Sequence, residues 1–180
     1  ANLQANNYRE LFRIPINTNQ GDVRVDHTLS DRQNLFVRFT YKDVDSTTSP
    51  GQTSPTISAL AGTIRVPEQV AALTVAHNMV LKPTLFNEIR AGFTGRNFLR
   101  TYEQDAATLI SQMGITGLAA PPAGAALPDV QIAGYQRVGG LAESATRDRT
   151  FQLLDNVTWT KGSHTLKFGG SWNHYVMDRY

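Results

Sequence analysis

The residue types best suited to chemistry are sparse in this sequence and do not cluster. Histidines occur at His27, His77, His164 and His174. Imidazoles hold zinc when two or three meet at close spacing, as in a His-Glu-x-x-His helix or a His-x-His strand. None of the four is so placed, and we read them as strand or turn residues. Asp43 and Asp45 form an Asp-x-Asp pair that would supply oxygen ligands to Ca²⁺. A solvated loop edge is the simpler reading of that pair. Glu143 and Asp148 flank Arg147 and Arg149, and we read all four as charges at the rim of a strand. A Gly-x-Ser-x-Gly elbow, which exposes a serine nucleophile, does not occur. Nor does a Gly-rich phosphate loop ending in Lys-Ser or Lys-Thr. With no cysteine there is no disulfide framework and no thiolate metal site. The formal charge is +2 and no basic block stands out, so nucleic acid is not an expected partner. The sequence thus leads us to expect no catalysed reaction, no cofactor and no bound metal.

What the sequence does carry is charged and apolar residues in alternation. Val23, Val25 and Leu29 alternate with Arg24, Asp26 and Thr28. After the polar turn Asp31-Arg32-Gln33, Leu35, Val37, Phe39 and Tyr41 alternate with Phe36, Arg38, Thr40 and Lys42. A period of two marks a strand with one apolar and one polar face. A three-residue turn would pair Leu29 with Leu35, Val25 with Phe39 and Val23 with Tyr41. It would also set Asp26 across from Arg38 and Asp22 across from Lys42, opposite charges that favour the same register. In a second hairpin Ala71, Leu73, Val75, Met79 and Leu81 share a face with His77. Its turn is Lys82-Pro83-Thr84, and the return strand sets Ile89, Ala91 and Phe93 against Glu88, Arg90, Thr94 and Arg96. The third hairpin, "FQLLDNVTWTKGSHTLKFGGSWNHY", carries Val157 and Trp159 before its Lys161–His164 joint. Leu166, Phe168 and Trp172 follow it on one face, with Lys167 on the other. Pairing Trp159 with Leu166 puts Asp155 on the apolar face, opposite Gly170. A β-bulge near Leu153-Leu154 would turn that carboxylate inward. Gly169-Gly170 reads as a bend or a close approach within the strand.

These hairpins predict an all-β fold, an antiparallel up-and-down meander of about six long strands with one short helix in a long loop. Residues 1–20 read as a loop or N-terminal extension. Strands are expected at about 22–30, 34–46, 70–81, 85–102, 147–160 and 165–177. Long Pro-, Ser- and Thr-rich loops are expected at 47–69 and 103–146. Within the second loop, "DAATLISQMG" predicts a helix over 105–113, with Asp105 as N-cap and Gly114 just past the C-terminus. This helix reads as a ligand-contacting lid or as an ordered rim element that packs Leu109, Ile110 and Met113. After the Pro-rich "LAAPPAGAALPD", the stretch "VQIAGYQRVGG" reads as a short strand or ordered loop.

The three tight joints fall at one end of the meander and the two long loops at the other, the layout of outer-membrane barrels. No apolar run approaches the ~20 residues of a membrane helix, which excludes helical spans only. A barrel strand needs just ~9–11 alternating residues, so a mean hydropathy of -0.30 is compatible with one. One short helix and Pro-rich loops are too little to cover six long strands as a second protein layer. Lipid would cover that face. We therefore expect Val23, Val25, Leu35, Val37, Phe39, Leu73, Val75, Ile89, Phe93, Val157, Trp159, Leu166 and Phe168 to face lipid. Asp26, Arg38, Lys42, Glu88, Arg90 and Lys167 would face a wet lumen. Six strands are too few to close. The sequence also starts at Ala1 with no visible signal peptide. Residues 21–180 are thus expected to be part of a larger transmembrane barrel. The alternative is a secreted soluble β domain whose apolar face binds carbohydrate or protein.

Four stretches carry a family likeness. "DVRVDHTLSDRQNLFVRFTY" resembles a hairpin common in Oar-like TonB-dependent outer-membrane receptors, a family that also carries a carboxypeptidase-regulatory-like domain. "FNEIRAGFTGRN", "LPDVQIAGYQRVGG" and "DNVTWTKGSHTLKFGG" are similar to the same family, in order and spacing, over roughly Gly21 to Tyr180. The resemblance implies a barrel of about 22 strands in the bacterial outer membrane, filled by a plug. It implies uptake of a scarce ligand, driven by the TonB complex. The partners so implied are outer-membrane lipid, the remainder of the barrel, the plug and, only through that plug, TonB.

Overall fold

The computed structural model describes residue 11 and residues 13–48, 63–102, 105–119, 121, 125, 131–134 and 143–180. Seven strands and one helix lie among them. The strands are β1 (Ile16–Ser30), β2 (Gln33–Thr48), β3 (Ile64–Arg65), β4 (Glu68–Lys82), β5 (Leu85–Tyr102), β6 (Ser144–Lys161) and β7 (His164–Arg179), and the helix is α1 (Ala106–Gln112). The antiparallel meander expected from the alternation is present. β1 and β7 end the strand order, β4 pairs with β2 and β5, and β5 neighbours β6.

The described residues divide into two units. The strand unit takes in residues 18–44, 68–98 and 146–180. Its hairpins turn on two residues each: Asp31-Arg32, Pro83-Thr84 and Gly162-Ser163. Gly162 has φ +60°, the left-handed conformation that the common primed hairpin turns take at their first turn position. Pro83 lacks an N–H and stands where the ladder needs none. In the second hairpin Lys82 pairs with Leu85 but Val80 with Phe86, a bulge that leaves Leu81 as the extra residue. Near the turns, the Val80 N–H donates to the Arg32 carbonyl and the Thr160 N–H to the Thr84 carbonyl.

The long registers follow the side-chain pattern. β2 and β4 match Leu35 with His77, Val37 with Val75, Phe39 with Leu73 and Tyr41 with Ala71. β4 and β5 match Leu73 with Phe93 and Val75 with Ala91. β6 and β7 match Trp159 with Leu166, Val157 with Phe168 and Leu153 with Trp172. Because partners share a face, one face carries the large apolar rows of β2, β4, β5, β6 and β7 and the other carries most of their charges.

Three expectations need correction. Asp155 pairs regularly with Gly170, between Leu154↔Ser171 and Asn156↔Gly169. No bulge at Leu153-Leu154 turns it inward; it stays on the face of Val157 and Trp159. In the first hairpin Asp22 accepts hydrogen bonds from Thr40 and Arg38, not from Lys42, while Asp26 bonds Arg24 on its own strand. The turn holds two residues, Asp31-Arg32, rather than three, and the Asp22 carboxylate meets Thr40 and Arg38, two and four residues nearer the turn than Lys42. Finally, β1 starts at Ile16, inside the segment read as loop.

The second unit takes in residues 1–17, 45–67 and 99–145. Here β3, within the segment read as a long loop, bridges Thr47 and Thr48 on one side and Thr101 and Tyr102 on the other. The Thr47 N–H donates to the Pro15 carbonyl, which ties the start of β1. The Asp105 carboxylate accepts from the Thr108 N–H at 3.1 Å and caps α1. Gly114, at φ +69°, ends it. Leu109 and Ile110 are buried, with Met113 and Ile115 packed against them. Most of "VQIAGYQRVGG" and of "LAAPPAGAALPD" lies outside the described residues; the described part of the former, Gln131 to Gly134, holds a turn at Ala133-Gly134 and no strand.

Candidate functional site

The candidate site is the pair of faces of the strand unit. On the apolar face a row of large side chains crosses the strands through Phe39, Leu73 and Phe93. It continues from Phe93 to Phe151, ring centroids 5.1 Å apart, and to His174 at 6.3 Å from Phe151. Within the strand unit nothing covers it. Val23, Val25, Phe39, Leu73, Ile89, Trp159, Leu166 and Phe168 are exposed, Phe168 by 59%. Leu35, Val37, Val75, Phe93 and Val157 are half-buried among their own neighbours. The only fully apolar core position found in this unit, Ala76 at 1% exposure, lies on the other face, between Phe36 and Arg90.

Polar rows bound the apolar band on both sides. Away from the tight turns, Asp43 pairs with Gln69 and Gln69 with Asn97. Gln69 donates to the Asp43 carboxylate, Arg147 to the Asn97 side-chain oxygen at 3.3 Å, and Arg149 to Asp178 at 3.0 Å. Toward the turns, His77 and Gln33 lie 3.2 Å apart, and Asn87 donates to Asp155 at 2.5 Å. Asn87 is buried, 8% exposed, and also reaches the Asn156 carbonyl. Thus Asp155 sits on the apolar face with an amide partner, within one of the bounding rows. From Gln33 to Asp43 and from Asn87 to Asn97 is ten residues each. At ~3.3 Å per residue and a usual barrel tilt of ~40°, that spacing covers ~25 Å along the membrane normal, the height of a lipid-facing band. Below the second row the Lys161 ammonium lies 5.6 Å from the Trp159 ring, a cation and an aromatic of the kind that gather at membrane interfaces.

The opposite face is a ladder of charges. Arg38 donates to Asp22 at 2.8 Å, Arg24 makes a two-pronged contact with Asp26, and Arg90 contacts Glu88. Arg96 bridges Glu68 at 2.7 Å and Asp148 at 3.3 Å. Arg24 lies over Phe36 and Arg96 over Phe98. Lys42 shares this face by alternation, and Lys167 lines a groove there with Glu88, Asn156 and Gly169. Gly169 is a close approach: a Cβ there would collide with the Asn156 side chain and meet the Asp155 carbonyl at 3.0 Å. At Gly170 a Cβ would meet open space.

Sequence reasoning missed two features. Glu68 was placed in a loop, yet it anchors the Arg96 bridge. Asn87 and Asp155 were not linked, although both are polar interruptions of apolar alternations on successive long strands. The Asp43 and Asp45 carboxylates accept from Gln69 and from Arg65 respectively. Among the described residues no three His, Cys, Asp or Glu side chains converge on a metal position. His174 stacks on Trp172 at 5.7 Å.

No curated protein and no solved structure matched this chain. The family model described as "Outer membrane beta barrel domain" matches residues 1–180. An uncovered apolar band between polar rows, a charged opposite face and this match agree: the chain belongs to the outer membrane β-barrel domain family and resides in the bacterial outer membrane.

Proposed function

We propose that the chain is a wall segment of a larger, Oar-like, TonB-dependent transporter. The observation that carries the wall role is the apolar band: it is uncovered, about as tall as a hydrocarbon core, and closed off above and below by polar side chains. In this reading Val23, Val25, Leu35, Val37, Phe39, Leu73, Val75, Ile89, Phe93, Val157, Trp159, Leu166 and Phe168 meet lipid. Asp26, Arg38, Lys42, Glu88, Arg90 and Lys167 line a wet lumen. β1 and β7 end the strand order with almost every residue exposed. Long unpaired edges are unfavourable in hydrocarbon, which supports further strands beyond them. The TonB-dependent part rests on the four family-like stretches. Ligand choice falls to the loops, and no reaction is catalysed. The partners are lipid, the remaining barrel and its plug, with TonB engaged through the plug. The secreted soluble alternative gives way to the family membership.

Two measurements on the full-length parent separate the layers of this proposal. Its migration on gels should change on boiling, as for a folded barrel, and the purified barrel should bind the periplasmic domain of TonB. A heat-modifiable barrel with no affinity for TonB keeps the wall role and discards the transporter.

A further inference from the structure

The ladder on the charged face has a gap. Across β4, β5, β6 and β7 two successive rows carry no charged side chain. One is Thr74, Gly92, Gln152 and Asn173, and the next is Ala72, Thr94, Thr150 and Tyr175. Two contacts align β5 with β6 here: Arg96 bridges Asp148, and a Cβ on Gly92 would stand 3.4 Å from the Gln152 side-chain oxygen. The charges above and below the gap are already paired, Arg96 with Glu68 and Asp148, and Arg90 with Glu88. Within the gap Gln152 donates to the Asn173 side-chain oxygen at 3.1 Å. That bond leaves the Asn173 amide N–H groups and the Gln152 oxygen with no further partner among the described residues. Tyr175 follows Asn173 on the same face, opposite Thr150, and is 70% exposed. Gly92 and Ala72 keep the floor beside these side chains low.

From this juxtaposition we infer that the neutral rows bind an uncharged oligosaccharide. The Tyr175 ring lies against the C–H face of a sugar, and Thr150, Gln152 and Asn173 bond its hydroxyls. A sugar ring offers an apolar face and a hydroxyl edge, and a tyrosine beside polar side chains answers both. Each hydroxyl both donates and accepts, and the linked amides present a free donor and a free acceptor side by side. An ionic ligand would lose its water here and find the neighbouring charges already neutralised. The inference names a substrate class for the proposed transporter and rests on that reading.

The test uses the full-length parent in detergent. Binding of maltotriose, cellotriose and the anionic trigalacturonate is read by titration calorimetry, and TonB binding is measured on the same preparation. At least one neutral trisaccharide should bind wild type, and trigalacturonate should bind about tenfold more weakly or less. Tyr175→Ala should weaken sugar binding about tenfold, while Tyr175→Phe keeps the ring and should cost less than about threefold. Q152A/N173A should also weaken it about tenfold; if that double variant does not fold, the exposed Tyr175 still provides the test. Thr165→Ala, on the same face beside the tight turn, should bind like wild type. Undiminished binding by Tyr175→Ala or by folded Q152A/N173A overturns the platform. Trigalacturonate bound as tightly as the neutral sugars overturns the uncharged class. A photo-crosslink from position 175 to the plug that saturating sugar leaves in place overturns the sugar as occupant. Failure of both neutral sugars to bind overturns the inference, and the transporter reading stands if TonB still binds. Tyr175-dependent sugar binding by a parent with no affinity for TonB keeps the platform and discards the transporter.

Discussion

The two faces of the strand unit have the same backbone, the same registers and the same neighbours, yet they are held in opposite ways. The charged face satisfies itself: Asp22 with Arg38 and Thr40, Glu68 and Asp148 with Arg96, Glu88 with Arg90. Between its bounding polar rows the apolar face has no such pairs among the described residues. Its aromatics and aliphatics touch along one layer and present the rest of their surface outward. A soluble sheet would reverse this, with the apolar face closed and the polar face open to water. The difference teaches that the strand unit is completed by its surroundings. By contrast, the second unit carries its own small core, with Ile64, Ala106, Leu109 and Ile110 buried.

Breaking the apolar face should have the largest effect. Val37→Arg places a cation in the middle of the band and should cost about 2–4 kcal/mol, measured by refolding into lipid vesicles from urea. Ser171→Arg, on the charged face, should cost less than about 0.5 kcal/mol. Equal costs would erase the distinction between the faces. Next comes the polar pair inside the bounding row. Asn87→Ala leaves the Asp155 carboxylate without its donor and should cost about 1–3 kcal/mol. Replacing both, as N87V/D155V, should recover most of that loss, because the two polar groups then leave together. A double variant as unstable as the single one would mean that the pair has a role beyond mutual satisfaction.

The glycine pair sharpens the comparison at the scale of one methyl group. Gly169→Ala drives a Cβ into Asn156 and should cost about 1 kcal/mol or more. Gly170→Ala, one residue along and on the other face, should be close to neutral. The reverse order would contradict the packing described above. Asp105→Ala should remove about 1 kcal/mol from α1 alone, seen as faster amide exchange there with barrel refolding unchanged. Smallest of all, Arg96→Gln should cost less than about 1 kcal/mol, since the pair is partly exposed, and the loss should shrink at high salt.

Much of this was legible from the residues. Period-two alternation fixed the faces of β2, β4, β5, β6 and β7, because each strand contains enough apolar positions to define a side. The pairing of Trp159 with Leu166 followed from the short Gly162-Ser163 turn. Asp105 and Gly114 marked the ends of α1 through their capping chemistry. Other features were out of reach. β3 is two residues long and exists only because the ends of β2 and β5 offer it ladder partners, so no local pattern announces it. The start of β1 at Ile16 depends in the same way on a distant partner, the Thr47 N–H. The charge partners in the first hairpin were out of reach because alternation keeps the same faces for any slip of two residues, so it does not select Thr40 and Arg38 over Lys42 as partners of Asp22. The Asn87–Asp155 contact joins residues 68 apart in sequence, on strands separated by a long connection, and periodicity within one strand carries no information about it.

The most direct test of the central claim is a single-cysteine scan of the full-length protein in liposomes. This segment contributes no cysteine background. Fluorophores at Val37, Leu73 and Ile89 should be quenched by brominated acyl chains and spared by iodide. Fluorophores at Arg38, Thr74 and Arg90, each one residue along, should be quenched by iodide and spared by brominated lipid. Iodide quenching at both sets of positions, with no effect of bromolipid at Val37, Leu73 and Ile89, would contradict the account.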